Sequence, residues 1–289
     1  MTLKKNTGIA FLAVSALFLC IKQGPACTIF AGSDGKNVLV GNNEDDPSKP
    51  GFLNAKIAFN PAQGERKYGN MVYSFDDGYP EGGVNTAGLF FDITQLPEVP
   101  AATYPPGTPD FAGPPGSMLV HILDTCATVD EAVKIMRAYR LPGIEAAQVF
   151  FADKTGAASV IGVAKNGTII ETTSTAKFLL ATNFNLANHE SGNYPEPRYT
   201  KLTQHWEKDP SVSRANFLAM LQEVHFEGNP VTVYSNLYDL KKGDMYLYYL
   251  GNYKKPLKMH LEKELKNGAR TVHMSDLFPK AVRPQKVSR

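Results

Sequence analysis

Cys27 follows Gly24-Pro25-Ala26, at the point where an export leader is expected to be cut. Upstream, Lys4 and Lys5 precede an apolar run from Gly8 to Ile21, and the small residue Ala26 stands last before the cut. A charged start, an apolar middle and a small residue at the end are the marks of a secretory signal peptide. Cleavage there makes Cys27 the first residue of the mature chain, with a free α-amine beside its thiol. One residue then holds both a nucleophile and a base. The reference values of the two groups, about 8 for the amine and about 8.5 for the thiol, suit proton exchange near neutrality. The plainer alternative is that Cys27 is only the first buried residue of a strand.

Little else in the chain competes for the chemistry. Of three cysteines, Cys20 leaves with the leader, and Cys126 ends the apolar stretch Met118–Leu123 and reads as a small core residue. An unpaired cysteine in an exported protein is unusual, since oxidising compartments favour disulfides. No glycine-rich phosphate loop, CxxC pair, HExxH helix or Gly-x-Ser-x-Gly elbow occurs. The six histidines, at 121, 189, 205, 225, 260 and 273, lack ligand spacing, so neither a metal nor a cofactor is expected. A formal charge of +2 gives no reason to expect nucleic acid. Beyond the leader no run of about 18 apolar residues remains, so the mature chain is not expected to span a membrane. Lipidation is disfavoured because Gly24 and Leu19 stand where a lipoprotein signal wants other residues.

The elements around Cys27 read as follows. Thr28–Gly32 and Asn37–Gly41 form an opening hairpin, after which Gly41-Asn42-Asn43-Glu44-Asp45-Asp46-Pro47 leaves the sheet through a polar turn. Ala55–Phe59, Asn70–Phe75 and Gly88–Ile93 are strands. The proline-rich stretch from Pro100 to Pro115 is an exposed loop, placed to border a pocket. Helices follow at Gly116–Cys126 and after Thr128-Val129-Asp130-Glu131, a capping-box sequence whose helix ends at Leu141-Pro142-Gly143. Ala147–Asp153, Ala158–Ala164, Ile169–Thr173 and Phe178–Thr182 are strands. Two helices, Arg198–Trp206 and Arg214–His225, lead to a hairpin of Thr232–Asp239 and Met245–Leu250. The lysine-rich tail from Lys254 to Arg289 reads as solvated surface. Strands and helices in separate blocks argue for an α+β fold, with the mature 27–289 forming one domain.

Several ordered pieces resemble the choloylglycine hydrolases and penicillin V acylases, linear-amide hydrolases of the N-terminal-nucleophile class. Their hallmark is Cys-Thr followed by Gly-Arg-Asn-x-Asp; here Cys27-Thr28-Ile29-Phe30 is followed by Gly41-Asn42-Asn43-Glu44-Asp45. Val84-Asn85-Thr86-Ala87-Gly88-Leu89, Leu180-Ala181-Thr182-Asn183 and Pro197-Arg198-Tyr199 are similar to later family segments, in the family's order. The resemblance implies a four-layer αββα sandwich and a homo-oligomer, tetramer or dimer. It implies that Cys27 attacks an amide carbonyl to form an acyl-thioester, that Asp45 holds the α-amine, that Asn183 steadies the oxyanion and that Arg198 organises the nucleophile's surroundings. Two positions depart from the pattern. Asn42 replaces the family's early arginine, which leaves the thiol less acidic, and Gln95 stands where the second oxyanion asparagine is expected. Both remain weaker substrate-binding or oxyanion positions.

The expectation is therefore a secreted or periplasmic amidase that cleaves a linear, non-peptide C–N bond in an N-acylated small molecule. Phe30, Tyr79, Phe90, Tyr104 and Phe111 are available to wall an acyl pocket. The alternatives are an acyltransferase of the same fold, which passes the acyl group to an amine, and a non-catalytic lipid-anchored or ligand-binding protein.

Overall fold

The computed structural model describes residues 27–46, 54–96, 100–141, 144–174, 177–190, 194, 196–228 and 230–279. The expected leader, Pro47 of the expected turn, Pro142-Gly143 and the last ten residues lie outside the described residues.

Six strands form one antiparallel sheet: β1 (Thr28–Ser33), β2 (Val38–Asp46), β10 (Phe178–Ala181), β11 (Val231–Asp239), β12 (Asp244–Tyr249) and β13 (Leu257–His260). Its order is β10-β1-β2-β11-β12-β13. Eight strands form the second: β3 (Lys56–Asn60), β4 (Asn70–Ser74), β5 (Pro80–Asn85), β6 (Leu89–Gln95), β7 (Ala147–Asp153), β8 (Ala158–Val163), β9 (Ile169–Thr173) and β14 (Arg270–His273). These run β14-β3-β4-β5-β6-β7-β8-β9, again antiparallel throughout. Helices α1 (Ser117–Thr125) and α2 (Val129–Ala138) cover the eight-stranded sheet; α3 (Pro197–Lys208) and α4 (Arg214–Glu223) cover the other. A one-turn helix, α5 (Leu261–Leu265), follows β13.

The layers follow from strand alternation. Ile29 and Ala31 of β1, Val38 and Val40 of β2, and Phe90 of β6 point into the core between the sheets. Phe30 and Leu39 point the other way and pack with Phe217 and Leu221 of α4. Leu89, Phe91 and Ile93 meet Leu119, Ile122 and Met136 from α1 and α2. The α+β, four-layer αββα sandwich is thus the observed architecture. The Thr128 cap forms as expected, accepting from Glu131 N–H, while the Glu131 carboxylate reaches one residue past the cap, to Ala127 N–H at 2.6 Å.

Three expectations need correction. The polar segment from Gly41 does not leave the sheet: β2 runs on to Asp46, paired with β11 as far as Val231. Asn42, Asn43, Glu44 and Asp45 are buried with partners of their own; Asn43, for example, donates to Leu221 O at 3.0 Å. The helix after Thr128 stops at Ala138, and Tyr139 is already extended. The tail is not simply solvated surface, since β13 closes one edge of the six-stranded sheet and β14 one edge of the eight-stranded sheet. Strand β5 was also unforeseen. Its Gly82 and Gly83 weaken any strand signal, yet an added Cβ at Gly82 would lie 2.7 Å from Asp92 Oδ2.

Candidate active site

Cys27 precedes β1 and is 3% exposed. Thr28 pairs with Asn43 across β1 and β2, so the next row brings Cys27 opposite Glu44 on the face between the sheets. The register with β11 adds Tyr234 opposite Glu44, and Asn236 opposite Asn42. Cys27, Glu44 and Tyr234 therefore stand in one row, with Ile29, Asn42 and Asn236 in the next.

Arg198 ties the other expected residues to that strand. Glu196 caps α3 by accepting from Arg198 N and Tyr199 N, each at 3.1 Å, and its second oxygen takes Arg198 Nε at 2.9 Å. So fixed, the guanidinium reaches inward. Nη1 donates to Cys27 O at 3.1 Å, to Thr28 Oγ1 at 3.1 Å and to Asp45 Oδ2 at 3.3 Å. Nη2 donates to Asn183 Oδ1 at 2.9 Å. Asp45 also accepts a short hydrogen bond from Thr232 Oγ1. Asn183 follows β10 and passes its own Nδ2 to Gln95 O at 2.8 Å. The loop holding Asn183 is pinned by Gln148, whose Nε2 donates to Thr182 O and Phe184 O, both at 2.9 Å. Cys27, Asp45, Asn183 and Arg198 thus lie within one hydrogen-bonded group. Gln95 joins it through its carbonyl, while the residue itself is exposed.

Asn42 is fully buried; its Oδ1 accepts from Asn236 Nδ2 at 3.2 Å, and its Nδ2 has no hydrogen-bond partner among the described residues. Glu44, which the sequence reading did not single out, accepts a hydrogen bond from Cys27 Sγ at 3.1 Å. Its second oxygen is buried without a hydrogen-bond partner among the described residues. Asp92 of β6 is a second missed acid, 3% exposed. Both left traces in the sequence. Glu44 shares the parity of Asn42 on one strand, and Asp92 is a lone carboxylate in the apolar run Leu89–Ile93.

The electrostatics are those of a dry, acidic corner. Burial raises the Cys27 thiol well above its ordinary value, and the charges of Glu44 and Asp45 add to the rise; the Asp45 backbone N–H opposes them. Burial likewise raises Glu44, helped by Asp92 and Glu81 from the facing sheet, and it raises Asp92, helped by Glu81. Asp45 is pushed up to about 7 by burial, which outweighs the lowering by Thr232 and Arg198. No arginine occupies position 42 to offset these charges.

Of the aromatic residues expected to wall a pocket, Phe30 and Phe90 are core, and Tyr104 OH receives Leu141 N–H at 2.9 Å. Tyr79 and Phe111 line a cavity of about 60 Å³ with Ile93, Met118, Met136 and Val149, beside the proline-rich loop. Asn85 holds a turn: it donates to Leu123 O and Cys126 O, while Gly88 takes φ 82°. Cys126 is buried and free, as is Cys27. Among the described residues, no group of three or more His, Cys, Asp or Glu could hold a metal ion, and no helix is long and apolar enough to cross a membrane.

Two face-to-face antiparallel sheets between helical layers, with a cysteine at the head of an inner strand, define the N-terminal-nucleophile hydrolase fold expected from the sequence. Solved structures share it. A variant of conjugated bile acid hydrolase from Clostridium perfringens is 16% identical, with a TM-score of 0.63 over 91% of this chain and 100% of that one. Penicillin V acylase from Agrobacterium tumefaciens is 15% identical, with a TM-score of 0.56 over 84% and 92%. The Caenorhabditis elegans ortholog of N-acylethanolamine-hydrolyzing acid amidase is 15% identical, with a TM-score of 0.53 over 74% and 93%. No family model and no curated protein matches the sequence.

Proposed function

We propose that this chain is an exported amidase that cleaves the linear C–N bond of an N-acylated small molecule with Cys27 as nucleophile. The observation that carries the reading is the convergence on Cys27. Arg198 fastens its carbonyl, the hydroxyl of Thr28, Asp45 and Asn183 together, so three separated parts of the chain, at 45, 183 and 198, are brought to its own segment. In the uncut chain the nitrogen of Cys27 is a peptide amide. Removal of residues 1–26 turns it into an amine that can exchange protons with the reacting groups. Cys27 Sγ then attacks the amide carbonyl, the amine leaves, and water hydrolyses the acyl-thioester. Asn183 donates to the oxyanion, a contribution of about 3 kcal/mol for a preorganised donor of this kind. The named activities of the three structural neighbours, on conjugated bile acid, penicillin V and N-acylethanolamine, supply the substrate classes.

The test joins the mass of the exported protein to activity on those three kinds of amide. A mature chain that begins at Cys27, loses hydrolysis in Cys27→Ala and keeps only a trace in Cys27→Ser is the expected result. A different start, or an active Cys27→Ala variant, overturns the reading.

A further inference from the structure

We propose that Thr232 is a positioning residue of the active site: a bulge in β11 turns its hydroxyl onto Asp45 and so holds the carboxylate that anchors the mature α-amine. The inference rests on the reading of Cys27 as an N-terminal nucleophile and adds a residue to it. The strand register carries it. Thr232 stands opposite Asp45 and Tyr234 opposite Glu44, so neighbouring residues of β2 face positions of β11 that are two apart. Val233 is the extra residue, and it packs with Tyr234 in the core between the sheets. In a regular strand Thr232 and Tyr234 would share one face. The bulge puts Thr232 on the other, with Asp45. Bulges next to active sites re-aim side chains in this way.

The hydroxyl so placed is committed on both sides. Thr232 is 1% exposed; its oxygen accepts from Phe226 N–H at 2.7 Å, and its proton goes to Asp45 Oδ1 in a short hydrogen bond. The main chain repeats the tie, with Thr232 N–H donating to Phe226 O at 3.1 Å. The Phe226 ring lies under the Arg198 guanidinium, 5.3 Å from ring centroid to Cζ, and Arg198 Nη1 holds the other Asp45 oxygen at 3.3 Å. One residue, Phe226, thus seats both groups that grip Asp45. Closing a bulge needs only main-chain atoms. Accepting from Phe226 while donating to Asp45 needs a hydroxyl.

The charged and titratable groups facing Asp45 are Arg198 and Glu196 from α3, His225 after α4, Tyr253 after β12, Cys27 before β1 and Glu44 on its own strand. Burial lifts Asp45 to about 7, and the Thr232 hydroxyl opposes that rise more than Arg198 or His225 does. A protonated Asp45 offers the α-amine no full negative charge. Hydrolysis should therefore climb with pH as Asp45 ionises, along a limb that Thr232 helps to set. The α-amine of the mature chain acts on Asp45 in every variant alike, so the displacement between variants is the quantity to read.

The experiment records kcat and KM against pH for the mature protein, on the fastest-cleaved of a conjugated bile acid, penicillin V and an N-acylethanolamine, with folding followed by thermal unfolding. Thr232→Val keeps the shape and loses the hydroxyl. Its limb should move to higher pH, and its kcat near pH 7 should fall about tenfold or more, the worth of a hydrogen bond to a charged group, with KM little changed. The gap should narrow at alkaline pH, whereas a merely structural Thr232 would lower activity by one factor at every pH. Thr232→Ser restores the hydroxyl and should restore the limb. Thr232→Ala, which leaves room for a water beside Phe226 N–H, is read in the same way and keeps the test open if the valine variant does not fold. A limb that stays in place in the folded valine or alanine variant overturns the proposal, as does a serine limb displaced as far as theirs. An inert Cys27→Ala beside an unmoved Thr232→Val limb removes Thr232 alone, whereas an active Cys27→Ala removes the nucleophile on which the inference rests.

Discussion

At the scale of the residue, Arg198 decides most of the site's geometry. The residue is 6% exposed, and its guanidinium serves a main-chain carbonyl, a hydroxyl, two carboxylates and an amide. Removing it strands Asp45 in the interior beside the Thr232 hydroxyl. Loss of one member of a buried ion pair costs about 3–5 kcal/mol. Arg198→Ala should therefore lower the melting temperature by on the order of 10 °C and abolish hydrolysis, as thermal unfolding and a rate assay would show. Arg198→Lys should recover part of the stability but little activity, because one ammonium cannot reproduce the planar fork. How much of this was legible differs from residue to residue. Cys27, Asp45, Asn183 and Arg198 could be found because each stands in a short ordered motif. Glu44 could not, because the polar run around it resembles a turn, and only the pairing with β11 shows that the strand continues.

At the scale of the element, β2 is where local sequence and fold disagree. A run of Gly-Asn-Asn-Glu-Asp-Asp has poor strand propensity, yet it lies at the centre of a sheet between β1 and β11. Side-chain partners on both faces compensate: Asn43 to Leu221 O, Asn42 to Asn236, Asp45 to Thr232 and Arg198. Gly41 allows the strand to lie flat against Phe30. A Cβ there would sit 2.5 Å from Phe30 Cζ, and that ring is held between Phe178 and Phe217. Gly41→Ala should cost about 1–3 kcal/mol by overpacking, read as a lower midpoint in denaturant. Activity should fall with it, since Asn42 and Glu44 move with the strand. Strands such as β7 and β8 were read from the sequence without difficulty because they are apolar and bounded by turns. Strands β13 and β14 were not, because lysines and single apolar residues give no clear period.

At the scale of the whole molecule, the buried acids tie stability to pH. Asp45, raised to about 7, keeps in the folded chain a proton that the unfolded chain releases near pH 4. The folded state then binds more protons across that window, so stability falls as pH climbs from about 4 to about 7 and levels off above it. Glu44 and Asp92 are raised in the same direction and deepen the loss. The melting temperature should therefore be higher at pH 5 than at pH 8, and Glu44→Gln should flatten the slope. A melting temperature that rises toward pH 8 would show these carboxyls to be better solvated than their burial implies. The α+β class was legible from the block order of the elements, and the αββα layering from the family resemblance alone. The electrostatic coupling between the two sheets was not, because Glu44 and Asp92 are 48 positions apart and meet only across the sandwich.

The strand order carries one more consequence, for the order in which the protein is made. Strand β1 is bracketed by β10 and β2, and β2 by β11, so the first strand to be synthesised waits for residues 178–181 and 231–239 before its neighbourhood is complete. The last strands, β13 and β14, then seal one edge of each sheet. Until residues 231–239 are made, the strand that flanks β2 opposite β1 is missing from the neighbourhood of Cys27. A residue that ends among the least accessible in the molecule thus begins as one of the most accessible. On the proposed removal of residues 1–26, a peptidase that acts before the sandwich closes has no need for it to open again.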